Sequence, residues 1–297
     1  MIPAEYDLIN IYNSKRSPST VHCQNSILVH FFEKYLLQKV ISVFKFNNIP
    51  LEWAMNYFQY VLFIWGFVTI YDNKDYGIIP QNCSLYGYDI FYQPSHVIIA
   101  NPLIKTKQMR IGVDCELINL QPNYCGVMDI VSTYADLMAL SLETAGINLL
   151  NSKMSYVFMS ENKQAAENFK KLYDQFAGGS PAVFPDKDLF NEDGSPSWQL
   201  FTQNVGQNYI TDKVLDDMKK LEDRFNTDVG IPNANTYKKE RLITDEVNAN
   251  NVDTQSKIML WLDTMSRGIE RVNEHYGLNL SVEYRYKPEY SMEVPNE

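Results

Sequence analysis

A single row of apolar residues (Ile210, Val214, Met218, Leu221, Phe225) runs through a segment whose other positions are mostly charged. The spacing predicts a helix over Tyr209–Asp228 that meets protein along one line and water on its other faces. Such a helix cannot sit inside a large core. It belongs either on a surface or along the wall of a wet channel, and pattern alone leaves both open. Asp216 and Lys220 are four apart, as are Lys219 and Asp223, so each pair can meet on the helix.

The other helical periods are broader. Over residues 27–46, Leu28, Phe32, Leu36, Val40 and Phe44 stack at i+4, with Ile27, Phe31 and Tyr35 expected to widen the stripe and His30, Lys34, Gln38 and Ser42 opposite. Asn47-Asn48-Ile49-Pro50 stops that helix, because the residue before proline avoids the α region. A short helix over Leu51–Gln59 is expected next. Val127–Leu150 is helical, with Ile130 or Val131, Tyr134, Leu137 or Met138, Leu142, Ala145 and Leu149 inward. Ser256–Tyr276 places Ile258 or Met259, Leu262, Met265, Ile269 and Val272 inward, and Gly277 suits the C′ position.

Strand signals fall in three places. From Tyr60 to about Cys115, short runs of Val, Ile, Tyr and Phe alternate with turn residues such as Asp72-Asn73, Pro80-Gln81-Asn82, Pro94 and Asn101-Pro102, which predicts a small antiparallel β module or barrel. Met154–Met159 reads as a strand, Glu161–Phe176 as a helix closed by Gly178-Gly179, and Pro181–Phe184 as the next strand. Leu278–Tyr286 alternates as a late strand. Val229–Ser256 carries five Asn and neither period, and structureless stretches of this length tend to be functional or disordered. The class is α+β.

Composition excludes several functions. The charge is −10, which argues against a protein built to grip nucleic acid tightly. The longest uncharged apolar stretch, Tyr60–Tyr71, is twelve residues, short of the roughly 20 a spanning helix needs. The first twenty residues lack a secretory pattern, so a soluble chain is expected. The four Cys (23, 83, 115, 125) form no C-x-x-C pair and read as reduced intracellular thiols. No phosphate loop, dinucleotide fingerprint, nucleophile elbow or H-E-x-x-H is written in the chain. Histidines 22, 30, 96 and 275 are scattered, and Asp212, Asp216 and Asp217 are interleaved with lysines as on a solvated ion-pair face. No catalytic residue, metal or cofactor is expected. The one local cluster is Lys238-Lys239-Glu240-Arg241, three cations that could touch phosphates without reading bases or could equally form a plain solvated loop tip.

That cluster lies in GIPNANTYKKERLITDEV (Gly230–Val247), a run that resembles the channel-loop segment of the upper collar proteins of Bacillus picovirus-type small tailed phages, the head–tail connector or portal family. The resemblance continues in YITDK (Tyr209–Lys213), GSPAVF (Gly179–Phe184) and RGIERVNEHYGLNLSVEYRY (Arg267–Tyr286). It implies a mainly helical portal subunit with long stem helices, an SH3-like β module and a small α/β clip. The implied segments are an N-terminal part with wing and stem helices (1–59), the β module (60–126), a stem helix (127–150), the clip (151–208), a channel helix (209–228), a channel loop (229–256), and a wing helix with C-terminal strand (257–297).

The resemblance also implies a function. Members form dodecameric rings at one capsid vertex, through which double-stranded DNA is packaged and ejected without sequence preference. Implied partners are the major capsid protein, lower collar and tail proteins, and the packaging ATPase, directly or through a packaging RNA; no membrane is implied. The implied location is the virion, and the host cytoplasm during assembly. Lys238, Lys239 and Arg241 become DNA-facing loop residues, and Lys213 matches a channel lysine. A second channel lysine of the family falls on Asn204 here. The basic N-terminal arm of some members is reduced to Lys15 and Arg16. Twelve copies at −10 give a ring at −120, which suits a wall past which DNA must slide. The rival readings are a lower collar or tail adaptor ring, and an enzyme with an unrecognised site.

Overall fold

The computed structural model describes residues 20–153, 156–160, 198–202, 209–232 and 244–286, with scattered helical positions between 163 and 174. The chain divides into two units, Met1–Leu140 with Met218–Glu297, and Ser141–Asp217.

The first unit opens with α1 (Ser26–Ile41), capped by Asn25, whose side chain accepts the Leu28 N–H. Phe32, Leu36 and Val40 are buried as their spacing requires. Ile27, Phe31 and Tyr35 are exposed, so the apolar stripe is narrower than expected. The helix also stops early. Phe44 is buried, but in a strand: β1 (Phe44–Asn47) pairs antiparallel with β10 (Ser281–Tyr284), Phe44 opposite Tyr284 and Phe46 opposite Val282. A partner strand almost 240 positions away claims the backbone that periodicity assigned to the helix.

Helix α2 (Met55–Trp65) runs six residues past the expected end and takes in the apolar stretch read as the start of the β module. Gly66 ends it. Its φ of 90° is open to glycine, and its N–H closes on the Leu62 carbonyl at 3.0 Å. A Cβ there would lie 2.3 Å from the carbonyl carbon of Cys125, so no other residue fits.

Six strands follow: β2 (Phe67–Asn73), β3 (Gly77–Gln81), β4 (Ser84–Tyr88), β5 (Pro94–Ile99), β6 (Lys107–Arg110) and β7 (Glu116–Asn119). They form two antiparallel sheets of three, ordered β3-β2-β7 and β4-β5-β6. Phe67, Tyr71, Leu85, Val97, Ile99 and Leu117 form one core cluster. Val68, Ile70 and Ile118, the alternate positions of β2 and β7, belong to the other, mostly helical core. The central strand is therefore buried on both faces, which explains its unbroken apolar run.

Helix α3 (Met128–Lys153) buries Val131, Ala135, Met138 and Ala139 against that helical core. Ala145 is buried as expected, but Leu142 and Leu149, expected inward, are exposed; Ala139 is the last α3 residue in the main core cluster. After α4 (Thr211–Asp228), helix α5 (Thr244–Tyr276) begins twelve residues before its hydrophobic period. Asn costs a helix only a few tenths of a kcal/mol relative to better formers, and extending a packed helix avoids the cost of nucleation, roughly three orders of magnitude in equilibrium constant. Ile258, Trp261, Met265, Ile269 and Val272 are buried, whereas Met259 is exposed. Gly268 lets α5 approach β7 closely, since a Cβ there would stand 3.0 Å from the Ile118 Cα. Gly277, at φ 67°, ends the helix as expected.

The second unit contains β8 (Tyr156–Ser160) paired antiparallel with β9 (Trp198–Thr202). Of the strand expected at Met154–Met159, Tyr156–Met159 lie in β8 and the first two positions fall outside the described residues, while β9 is not among the expected strands. Within the helix expected over 161–176, positions 163, 166–168, 170–171 and 174 are helical. The strand expected at Pro181–Phe184 lies outside the described residues. Among the described residues no helix is long and apolar enough to cross a membrane.

Candidate nucleic-acid interface

Helix α4 has the single stripe that its sequence predicts, except that Ile210, the first residue of the expected row, precedes the helix and is exposed. Val214, Met218 and Leu221 are half-buried and Phe225 is fully buried, while Asp212, Lys213, Asp216, Asp217, Lys219 and Lys220 are exposed. Its start is held by Asn148 of α3, whose Oδ1 accepts both the Ile210 N–H at 3.0 Å and the Thr211 hydroxyl at 2.8 Å. Lys213, one of the expected DNA-facing residues, therefore sits in the first turn of a tethered helix with its side chain in water.

The other end of α4 is clamped more firmly. Glu222 Oε1 accepts Lys39 Nζ at 2.7 Å and the Tyr35 hydroxyl at 2.6 Å, both from α1. Burial opposes the charge on Glu222, but the hydrogen bonds from Lys39 and Tyr35 outweigh it and hold the carboxyl below its ordinary range. The same bond pushes the Tyr35 phenol up to about 12. One turn later, Tyr134 of α3 donates to Asp228 Oδ2 at 2.7 Å and its ring meets Phe225 edge-on at 5.4 Å. Burial, then the hydrogen bond to Asp228, holds Tyr134 well above the usual phenol range.

Beyond the helix, the Tyr284 hydroxyl of β10 donates to the Gly230 carbonyl at 2.6 Å. Gly230 has φ 79°, and a Cβ on it would meet the Ile258 side chain at 2.6 Å. Gly230 is thus fixed against α5, which begins at Thr244, fourteen residues before Ile258. At 1.5 Å per residue, the start of α5 stands about 21 Å along its axis from that packed point. Lys238, Lys239 and Arg241 belong to the intervening segment and lie outside the described residues. Of the four expected cations, Lys213 is the one that falls among the described residues.

Other titratable groups make structural contacts, some local and some between elements. His22 Nδ1 is 2.9 Å from Asp136, His96 Nδ1 is 2.8 Å from Ser95 Oγ, and His30 lies 3.6 Å from Glu33. His275 donates to buried Glu116 at 2.9 Å, with Arg271 Nε 3.7 Å from the second carboxylate oxygen. Burial pushes the Cys83 and Cys115 thiols up to about 12, leaving them unreactive at neutral pH. Among the described residues no three His, Cys, Asp or Glu side chains are grouped to hold a metal.

The clamp residues Tyr35, Lys39, Glu222, Tyr134, Asp228 and Tyr284 were not anticipated. Tyr35, expected to widen the apolar stripe of α1, instead turns its hydroxyl to Glu222.

Helix α4 is thus a charged helix hydrogen-bonded at both ends, and the segment that carries Lys238, Lys239 and Arg241 follows it in the chain. Residues 9–288 match the profile of the family described as Phage Connector (GP10), and the chain belongs to that family of head–tail connectors, the portal class. Among solved structures it is similar to a chain in "Portal and tail of native bacteriophage P68", with 14% identity over 88% of each chain and a TM-score of 0.47. It is also similar to a chain in "Virion of native gene transfer agent (GTA) particle", with 10% identity over 97% of this chain and 85% of that one, at a TM-score of 0.43.

Proposed function

We propose that the protein forms a closed ring of twelve copies at one capsid vertex, a conduit through which double-stranded DNA enters and leaves the virion and to which the tail attaches. The family match across 9–288 carries this reading. In it, α4 is a stretch of channel wall. Its apolar row packs on protein while its charged faces meet water, and the Lys39–Glu222 and Tyr134–Asp228 clamps keep it from moving as DNA passes. The segment with Lys238, Lys239 and Arg241 reaches toward phosphates, with Lys213 as a further cation on the wall. Contacts of this kind are sequence-independent and salt-sensitive, as a sliding conduit needs. The six-strand module corresponds to the SH3-like wing module, and 151–208 to the clip. ATP hydrolysis belongs to a separate motor, and the capsid protein and lower collar are the neighbours on either side.

Native mass and negative-stain images of the purified protein test the ring. Twelve copies of 34.4 kDa give about 413 kDa, seen end-on as a ring with a central hole. The loop is tested by Lys238→Ala with Lys239→Ala, for which rings and packaging are expected to persist while packaged genome slips out. Wild-type genome retention in that variant sinks the loop assignment without touching the ring.

A further inference from the structure

The β4–β5 hairpin ends in the loop Asp89–Gln93, where Ile90, Phe91 and Tyr92 are 86%, 73% and 56% exposed. Three consecutive large side chains standing in water at one tip are unusual for a surface turn. The loop holding them is rigidly built. Asp89 Oδ1 accepts the N–H groups of Phe91 and Gln93, each at 2.8 Å, and the Asp89 N–H donates to the Gln93 carbonyl at 2.9 Å. Tyr92 is held at φ 57°, and the Tyr124 hydroxyl donates to Gln93 Oε1 at 3.1 Å. A tip fixed in this way loses little conformational freedom when it is buried by a partner.

At the opposite end of the same hairpin, where β4 begins and β5 ends, a pocket of about 430 Å³ opens. Tyr60, Trp65, Ile98 and Pro102 supply its apolar wall, and Asn82 and Asn101 its polar edge. None of its lining residues is charged, in a chain with 62 charged side chains (26 basic and 36 acidic). We propose that the Ile90–Tyr92 tip of one copy seats in the Tyr60/Trp65 pocket of the next.

Both halves of the contact are on this chain, at opposite ends of one hairpin, and two different patches on each copy are what a head-to-tail interface requires. A partner of opposite charge would be met by charged surfaces. Two copies, each at −10, repel, and the faces they can bury together without stranding a charge are uncharged ones, as Ile90–Tyr92 and the pocket lining are; Asp89, beside the tip, keeps its carboxylate turned to the loop's own N–H groups. Repetition of one such contact closes into a ring or runs into a filament. That it closes rests on the ring reading above; the contact itself rests on the hairpin.

The test pairs a tip variant, Ile90→Asp with Phe91→Asp, with a pocket variant, Tyr60→Glu, placed on an exposed helical position. Each alone is expected to run as a 34.4 kDa monomer by native mass at the concentration where wild type is half assembled. Mixed one to one, they retain one sound tip and one sound pocket and form a dimer that grows no further, which also shows that both are folded. The milder Phe91→Ser is expected to raise the concentration needed for assembly at least tenfold, the effect of truncating a buried anchor. Wild-type assembly by either variant overturns the contact and leaves the ring reading standing. So does a mixture that stays monomeric while both spectra are native by circular dichroism. A wild type monomeric at every concentration overturns both.

Discussion

Lys39 Nζ and Glu222 Oε1, 183 positions apart, lie 2.7 Å from each other, and the Tyr35 hydroxyl donates to the same oxygen at 2.6 Å. One carboxylate oxygen thereby joins α1 to α4. Because the hydrogen bonds hold Glu222 below its ordinary value of 4.5, the stability it contributes is present above that pH and is lost as pH falls through the folded value. Tyr35, raised from 10 to about 12, has the opposite sense: its share is intact below pH 10 and is lost between pH 10 and about 12. Lys39→Ala is expected to cost about 1–2 kcal/mol near neutral pH. Glu222→Gln should flatten both flanks of the stability–pH curve, measured by urea unfolding from acid to alkaline pH. An unchanged curve in Glu222→Gln means the clamp carries no stability.

Glycines test the backbone. At Gly66 the positive φ and the 2.3 Å approach of Cys125 act together, so Gly66→Ala is expected to cost about 3 kcal/mol or more. Gly146, inside α3 with nothing within 4 Å of its absent Cβ, is the counterpart: Gly146→Ala should stabilise by about 0.5–1 kcal/mol. Thermal melts of the two variants should move in opposite directions, and a shift of the same sign in both contradicts the geometry.

The contrast between these sites shows what a sequence discloses. Phe32, Leu36 and Val40 announced their burial through spacing alone, as did Phe225 at the end of the row on α4, because helical periodicity is a local property. Phe44 misled: its place in the i+4 series was correct for burial and wrong for backbone, since the strand it joins depends on Ser281–Tyr284. Leu142 and Leu149 misled too, exposed on either side of buried Ala145, since which side of α3 is covered there depends on elements distant in sequence. Of the candidate site, the exposure of Lys213 was legible from its charged neighbours. The Glu222 clamp was not, because a lone Glu on a charged helix looks alike whether or not a lysine from α1 awaits it.

Glu116, buried on β7, is tied to α5 by His275 at 2.9 Å and Arg271 at 3.7 Å, and the His275 ring stacks on Tyr276 at 4.5 Å. Both partners reach solvent more readily than Glu116 does, so losing them is worse than losing the acid's charge. His275→Leu with Arg271→Leu leaves a carboxylate buried alone and is expected to cost about 3 kcal/mol. Glu116→Gln should cost about 1 kcal/mol, and added to the double variant it should recover stability. If the triple variant is no more stable than the double, Glu116 is not a stranded charge.

The exposed acids of α4 make the last prediction, and it follows from the conduit reading. If α4 faces DNA, its acids keep the wall from holding phosphates, and reversing one charge per copy should turn a slippery surface into a sticky one. Asp216 suits the change because it is exposed at mid-helix, away from the Asn148 tether and the Glu222 clamp. Asp216→Lys rings are expected to assemble normally yet bind double-stranded DNA more tightly. Each new phosphate contact should steepen the dependence of log affinity on log salt by about 0.9. Fluorescence anisotropy from roughly 50 to 200 mM salt covers the range in which such contacts change affinity most visibly. The same rings should package DNA more slowly, since every contact must be broken as the duplex advances. A salt slope equal to that of wild type, in rings of normal mass, means that this face of α4 does not meet DNA and that its charges are an ordinary outer surface.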